Sequence, residues 1–305
     1  MTEPAAAVAI NLTPEHKNEQ LSPGGLIFRR FLRHRLAVVS ALILCVLAAG
    51  AILAPSLAPD PDKVNLKQKL LPPSITHLMG TDDLGREQFS RILYGGRISL
   101  SVGLLATSLS LLLGSAIGVL AGYIGGWLDN WLMRLTDMFL SFPSLFVLIL
   151  LGALLRDTPL ASYGGGLFII VFVIALLSWM STARLVRGTV LSIRSMDYIE
   201  ASRVLGSSKL HIMLIHILPN SLGPIIVRGA LQTAYSILTE SGLSYLGFGI
   251  QPPTPTWGNM LNGAQTYMSQ NPWLAVFPGM AIFITVICVN FIGDGLRDAF
   301  DPRSL

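Results

Sequence analysis

The chain has 305 residues, of which 52% are apolar and only 12% charged, with a formal net charge of +4. A soluble globular protein carries about 25% charged residues, so this composition excludes an ordinary soluble domain and predicts a membrane protein. The small positive excess is explained by where Lys and Arg flank the apolar runs, which leaves no case for nucleic-acid binding.

In chain order, residues 1–25 are polar and include Glu3, Glu15 and Glu19. They predict a disordered cytoplasmic N-terminus, not a cleaved secretory signal. Over 26–35, Ile27, Phe28 and Leu32 are interleaved with Arg29, Arg30, Arg33 and Arg35; this is either a short helix in the headgroup region or a basic flank that fixes topology. Crossing a bilayer takes about 20 apolar residues in a helix. Runs at 36–54, 98–126, 138–155, 158–183 and 273–293 meet or approach that length, and 217–240 is a further run interrupted by Arg228. The expectation is an all-α membrane protein with about six spanning helices.

Between the first two runs lies an external loop, 55–97, in which Asp82 or Asp83 is expected to cap a helix running through Arg97. Gly114, Gly118 and Gly122 form a small-residue ladder that permits close helix approach, expected within the subunit. Pro143 is expected to kink the third span. The Pro252-Pro253-Thr254-Pro255 stretch predicts a stiff, extended outer loop, and Trp257 after it suits the interfacial belt. Residues 98–293 form the core, and 294–305 read as a cytoplasmic tail.

Orientation follows from the basic residues. With the N-terminus inside, thirteen Lys and Arg fall inside and seven outside, which favours both termini in the cytoplasm. Cys45 and Cys288 both lie in spans and the five histidines have no ligand spacing, so no metal site is expected. No Gly-x-x-x-x-Gly-Lys-Ser/Thr loop is present, so the chain is not expected to bind ATP in that way. A secondary transporter would need paired intramembrane carboxylates or internal repeats, and neither is visible.

The inner loop, 184–219, carries the densest signal. From Met196 to Leu205 helical spacing puts Tyr198, Ala201, Val204 and Leu205 on one stripe and Glu200, Arg203 and Ser207 on another. Asp197 favours the first turn, and Glu200 and Arg203 stand three residues apart, a modest pair. Gly206 permits a chain reversal, and Pro219 is expected at the start of the next span. On these grounds alone the segment is an amphipathic helix lying on the bilayer or one presented to a soluble partner.

Glu200-Ala201, Gly206 and Leu218-Pro219 at this spacing resemble the coupling loop of binding-protein-dependent ABC importers. Two positions depart from that pattern: Ser202 stands where a second alanine is usual, and His216 where isoleucine is preferred. The outer segment from His77 through Gly80-Thr81-Asp82-Asp83-Leu84-Gly85-Arg86, with Ser90-Arg91 and Gly95-Gly96-Arg97, is similar to the dipeptide/oligopeptide permease C-type subunits. So are Gln251 to Gly258 and the end of the chain, Gly293 to Pro302.

The resemblance implies a type I importer permease in the bacterial inner membrane and an ATP-driven import of dipeptides or oligopeptides. It also implies a non-catalytic subunit with ATP and Mg bound by two partner ATPase subunits, a second related permease forming a heterodimer, and an extracytoplasmic binding protein. Coupling would fall to Tyr198, Glu200, Ala201, Arg203, Gly206 and Pro219. As charges within a span, and apart from the resemblance, Arg228 and Glu240 are expected to line the translocation path, Arg228 toward a carboxylate of substrate or neighbouring subunit and Glu240 toward a peptide amino group or, alternatively, outward to the interface. Read from the residues alone, Arg86 and Arg91 are left for an external receptor or for carboxylates in the same loop, and Trp257, if not in the interfacial belt, for that receptor. A nickel, glutathione or other small polar solute is the alternative cargo.

Overall fold

The computed structural model describes residues 23–156, 158–159 and 166–301; of the segment expected to be disordered, 1–25, residues 1–22 lie outside them while 23–25 are helical, and the last residues of the expected tail, 302–305, also lie outside. Helix α1, Pro23–Arg33, stops at His34, whose Nδ1 accepts from the backbone N–H of Ala37 at 3.1 Å. That bond starts α2, Arg35–Ile52. Helix α2 is apolar on every side, with Leu42, Val46 and Ile52 exposed, as expected of a span at the lipid-facing edge. A short α3, Ala54–Leu57, leads into the outer segment.

Helix α4, Gln88–Ile124, and α7, Leu167–Arg194, form the central pair. A Cβ added to Gly114 would stand 2.6 Å from Thr182, one at Gly118 2.6 Å from the Ala183 carbonyl, and one at Gly122 2.8 Å from Val190. The glycine ladder therefore sets an intramolecular contact in which only glycine fits. Apolar clusters lie at both ends of this pair, Val102, Ala106, Val173 and Ile174 in one and Val119, Val186, Val190 and Ile199 in the other.

The third expected span is broken. Helix α5, Gly126–Leu140, and α6, Ser144–Arg156, meet at 84°. Pro143 has no N–H to donate and disfavours helical geometry at Phe142, and here the result is a corner, sharper than the kink expected from sequence. Among the described residues five helices are long and apolar enough to cross a membrane, six if this bent pair counts as one span.

The spans also outrun their apolar runs. Helix α7 continues to Arg194 because its cations have partners on α5: Arg187 binds Asp129 through Nε and Nη2 at 2.5 and 2.6 Å, and Arg184 binds Asp137. After α8, Asp197–Val204, the long helix α9 covers Lys209–Tyr245. It starts at Ser208, whose Oγ accepts from His211 N–H; its regular α part runs Leu218–Tyr245 with Pro219 in the first turn, as expected, but further helical turns precede it. A π turn over Ile212–Ile217 precedes that proline; the wider turn takes up the strain where Pro219 cannot donate to the carbonyl four residues back.

The outer Pro-rich loop is followed by an unexpected helix, α10, Trp257–Gln265, begun by a capping box of Thr256 and Asn259. Helix α11, Trp273–Phe300, takes in most of the expected tail. Its last turns dock on α1 and α2: His34 lies 3.7 Å from Asp298, Arg30 donates to the Asp301 carbonyl, and Gly295 faces Ala37.

Candidate functional site: an exposed loop helix and a transmembrane cavity

Helix α8 is attached to the subunit by one side only. Ile199 is fully buried beside Val186, Val190, Ile193 and Ile212. On the opposite side Val204 and Leu205 are 83% and 84% exposed, and Tyr198 and Ala201 are exposed with them. The apolar stripe read from the sequence therefore points away from the protein. Glu200 accepts from Arg203 Nη1 at 3.1 Å, and the Arg203 guanidinium sits 5.4 Å from the centroid of the Tyr123 ring. Arg194 donates to the carbonyls of Gly122 and Tyr123 at 3.2 Å, closing the end of α4. Gly206 turns the chain at φ +82°, the left-handed region where a side chain is strained, with open space around it.

The two residues that depart from the coupling-loop pattern meet each other: Ser202 Oγ lies 3.4 Å from His216 Nε2. His216 also packs edge-on against Tyr198 and His211. Sequence reading treated them as separate changes, since nothing in the spacing shows that α9 begins early enough to bring residue 216 under α8.

Arg228 opens onto a cavity of about 210 Å³ between the α5–α6 corner, α7 and α9. Its Nη2 donates to Ser181 Oγ at 2.8 Å and Gln232 Oε1 at 3.1 Å. Leu140 and Ser144, on either side of the corner, line the same cavity, so the break at Pro143 helps shape it.

Glu240 is elsewhere. It is fully buried and accepts from Ser244 at 2.8 Å, Ser99 at 3.1 Å and Ser241 at 3.5 Å. Ser99 in turn accepts from the Trp257 N–H and Ser244 from that of Ile250. This knot of hydroxyls joins α4, α9 and the start of α10, so Glu240 neither faces a path nor reaches the interface, contrary to both expectations.

In the outer segment Arg86 and Arg91 pair with carboxylates of the same loop, the alternative to a receptor contact, and Trp257 is buried. Asp82 does not cap a helix; its carboxylate accepts from the Leu84 and Arg86 backbone and from Arg86 Nε at 2.7 Å. Arg91, 4% exposed, lies 3.2 Å from Asp62 and 3.7 Å from Asp82. Trp257 is 2% exposed and donates from Nε1 to the Ile92 carbonyl at 3.0 Å. A docking protein cannot reach Arg91 or Trp257, because charge pairing and α4–α10 packing bury them. Ile75 and Leu78, after the Pro72-Pro73 turn, are exposed instead.

Among the described residues the subunit is a helical, multi-pass core with one loop helix whose apolar face is exposed, the architecture expected of a membrane transport subunit. The chain belongs to the family described as binding-protein-dependent transport system inner membrane component, which residues 114–305 match; residues 22–73 match the N-terminal transmembrane domain of oligopeptide transport permease C. It is 40% identical over 289 residues to the glutathione transport system permease protein GsiD of Pectobacterium atrosepticum, covering 92% of each chain. It is also 40% identical over 278 residues to a Brucella suis protein with a provisional peptide-permease name, covering 90% of this chain and 89% of that one. Among solved structures, a chain of the MetNI methionine ABC transporter in inward-facing conformations aligns with TM-score 0.57 and 18% identity over 69% of this chain and 97% of its own. That likeness gives the type I permease fold. Location in the inner membrane, and a channel-forming, non-catalytic part, follow from the family.

Proposed function

We propose that this chain is one permease of an ATP-driven importer of dipeptides or short oligopeptides. It pairs with a second, related permease, and two ATPase subunits hold ATP and Mg. An extracytoplasmic binding protein delivers the solute, and both termini and α8 lie on the cytoplasmic side. The observation that carries the reading is the outward stripe Tyr198–Ala201–Val204–Leu205 on a helix anchored by Ile199. A short helix with its apolar face exposed and its other face fixed to α7 and α9 is built to pass movement from a partner's cleft into the spans. Among the described residues there is one such helix, and an ATPase dimer offers two clefts, which is why a second permease is needed.

Support for peptides comes from the relatives' names and from the matched N-terminal domain. Glutathione, itself a peptide-like solute, is the second reading, favoured by the 40% identity to proteins named for its transport. Receptor docking is assigned to the exposed tip at Ile75 and Leu78 in place of the buried Arg91 and Trp257.

The test is ATP-dependent uptake of labelled peptide by the whole transporter in vesicles. Glu200→Ala and Gly206→Asp are each expected to abolish uptake while the subunit remains inserted at its normal level. Full uptake by both variants would discard the coupling role of α8.

A further inference from the structure

We propose that the cavity at Arg228 is a binding site for the carboxylate of the transported solute, and that Arg228 is the residue that recognises it. This rests on the peptide-importer reading and adds the group that the membrane domain itself reads.

A guanidinium inside a span is costly and is retained where it faces a paired acid or a water-filled cavity. Among the described residues neither Asp nor Glu lines this cavity. Glu240, the other ionised-type side chain of the spanning part of α9, is twelve residues on, about 18 Å along the helix, and closed inside its hydroxyl knot. The groups that do hold Arg228, Ser181 and Gln232, are neutral. They orient the cation without neutralising it. Both bonds use Nη2, and the Nε–H has no acceptor among the described residues. A carboxylate is the anion whose two oxygens match the planar guanidinium fork.

The rest of the lining fits such a guest. Ser178 and Tyr235 supply neutral polar groups, while Leu148 and Ile174 lower the local dielectric, which strengthens a cation–carboxylate contact. Tyr235 is nearly half exposed, so the cavity has a mouth on the subunit surface. Every free peptide ends in a carboxylate, so a site that holds this group alone passes many side-chain sequences through one path.

The test reads charge at the cavity in the assembled transporter. With Cys45 and Cys288 replaced by Ala, Tyr235→Cys is introduced at the mouth and its reaction is followed with two methanethiosulfonates, one bearing a sulfonate and one a trimethylammonium. With Arg228 present the sulfonate is expected to gain about tenfold over the cation, the order of a single nearby charge in a partly aqueous site. Arg228→Lys keeps that preference and Arg228→Gln loses it. Trialanine slows the sulfonate reaction, and its C-terminal amide does not.

No charge preference with Arg228 present means that another subunit's acid neutralises it, and overturns the proposal; so does a cysteine that reacts with neither reagent, or equal protection by acid and amide. A preserved preference with protection by neither form contradicts the peptide reading specifically. Labelling needs no ATP turnover, so a failed coupling loop would leave this result intact.

Discussion

In the outer segment between α2 and α4 the polar side chains turn inward: Arg86 and Arg91 close on Asp82, His77 meets Glu87 at 2.6 Å, and α10 covers them with Trp257 against Gly95 and Gly96. In the loop between α7 and α9 the arrangement is reversed. Ile199 alone is buried, and the large apolar residues face out. The first region satisfies its charges and covers its aromatic residue within the chain. The second keeps one buried anchor and leaves an apolar helix face for something else to cover, whereas the outer segment exposes apolar side chains such as Ile75 and Leu78 around a core of paired charges.

Five variants sharpen this contrast. Trp257→Ala should cost about 3–5 kcal/mol, the usual figure for emptying a buried tryptophan site, measured by denaturation in detergent; Trp127→Ala, at a 77% exposed position, should change little. Arg91→Ala leaves Asp62 and Asp82 without their buried partner and should cost about 3 kcal/mol. On the inner side, Val204→Ser with Leu205→Ser should leave stability within about 0.5 kcal/mol yet reduce uptake about tenfold, since tenfold corresponds to about 1.4 kcal/mol of lost contact with a partner. Arg203→Gln should have the smallest effect on folding, a few tenths of a kcal/mol for an exposed pair. If the serine pair unfolds the subunit and Trp257→Ala does not, the two regions have been assigned the wrong way round.

The centres of the spans were legible as apolar runs, and so was the stripe on α8. The ends were not, because residues that look like loop in sequence are held in helix by partners far along the chain. Arg184 and Arg187 stop an apolar run, but Asp137 and Asp129 keep them on α7. Residues 88–97 look like a separate outer helix ending near the charged Arg97, yet they are the first turns of the long α4, which begins at Gln88. The end of α11 looks like a tail in sequence because Asp294, Arg297 and Asp298 are polar, although α1 and α2 cover that stretch.

Within the candidate site, helical spacing identified both charges of α9 but could not separate them. Arg228 faces a cavity only because α6 turns away at Pro143, and Glu240 is enclosed only because Ser99 arrives from another span. Trp257 carried one usable signal: the adjacent Gly95 and Gly96 mark a place where a large group approaches the backbone, with Gly96 placing a Cβ 3.1 Å from the indole.

The most direct test of the central claim is a crosslink from α8 in the complete transporter. A photoreactive group on Leu205→Cys, with Cys45 and Cys288 replaced, should join this chain to the ATP-hydrolysing subunit, with a yield that changes when ATP is added. Labelling of that position only from the outer face of the membrane, or crosslinks that never reach an ATPase, would contradict the account.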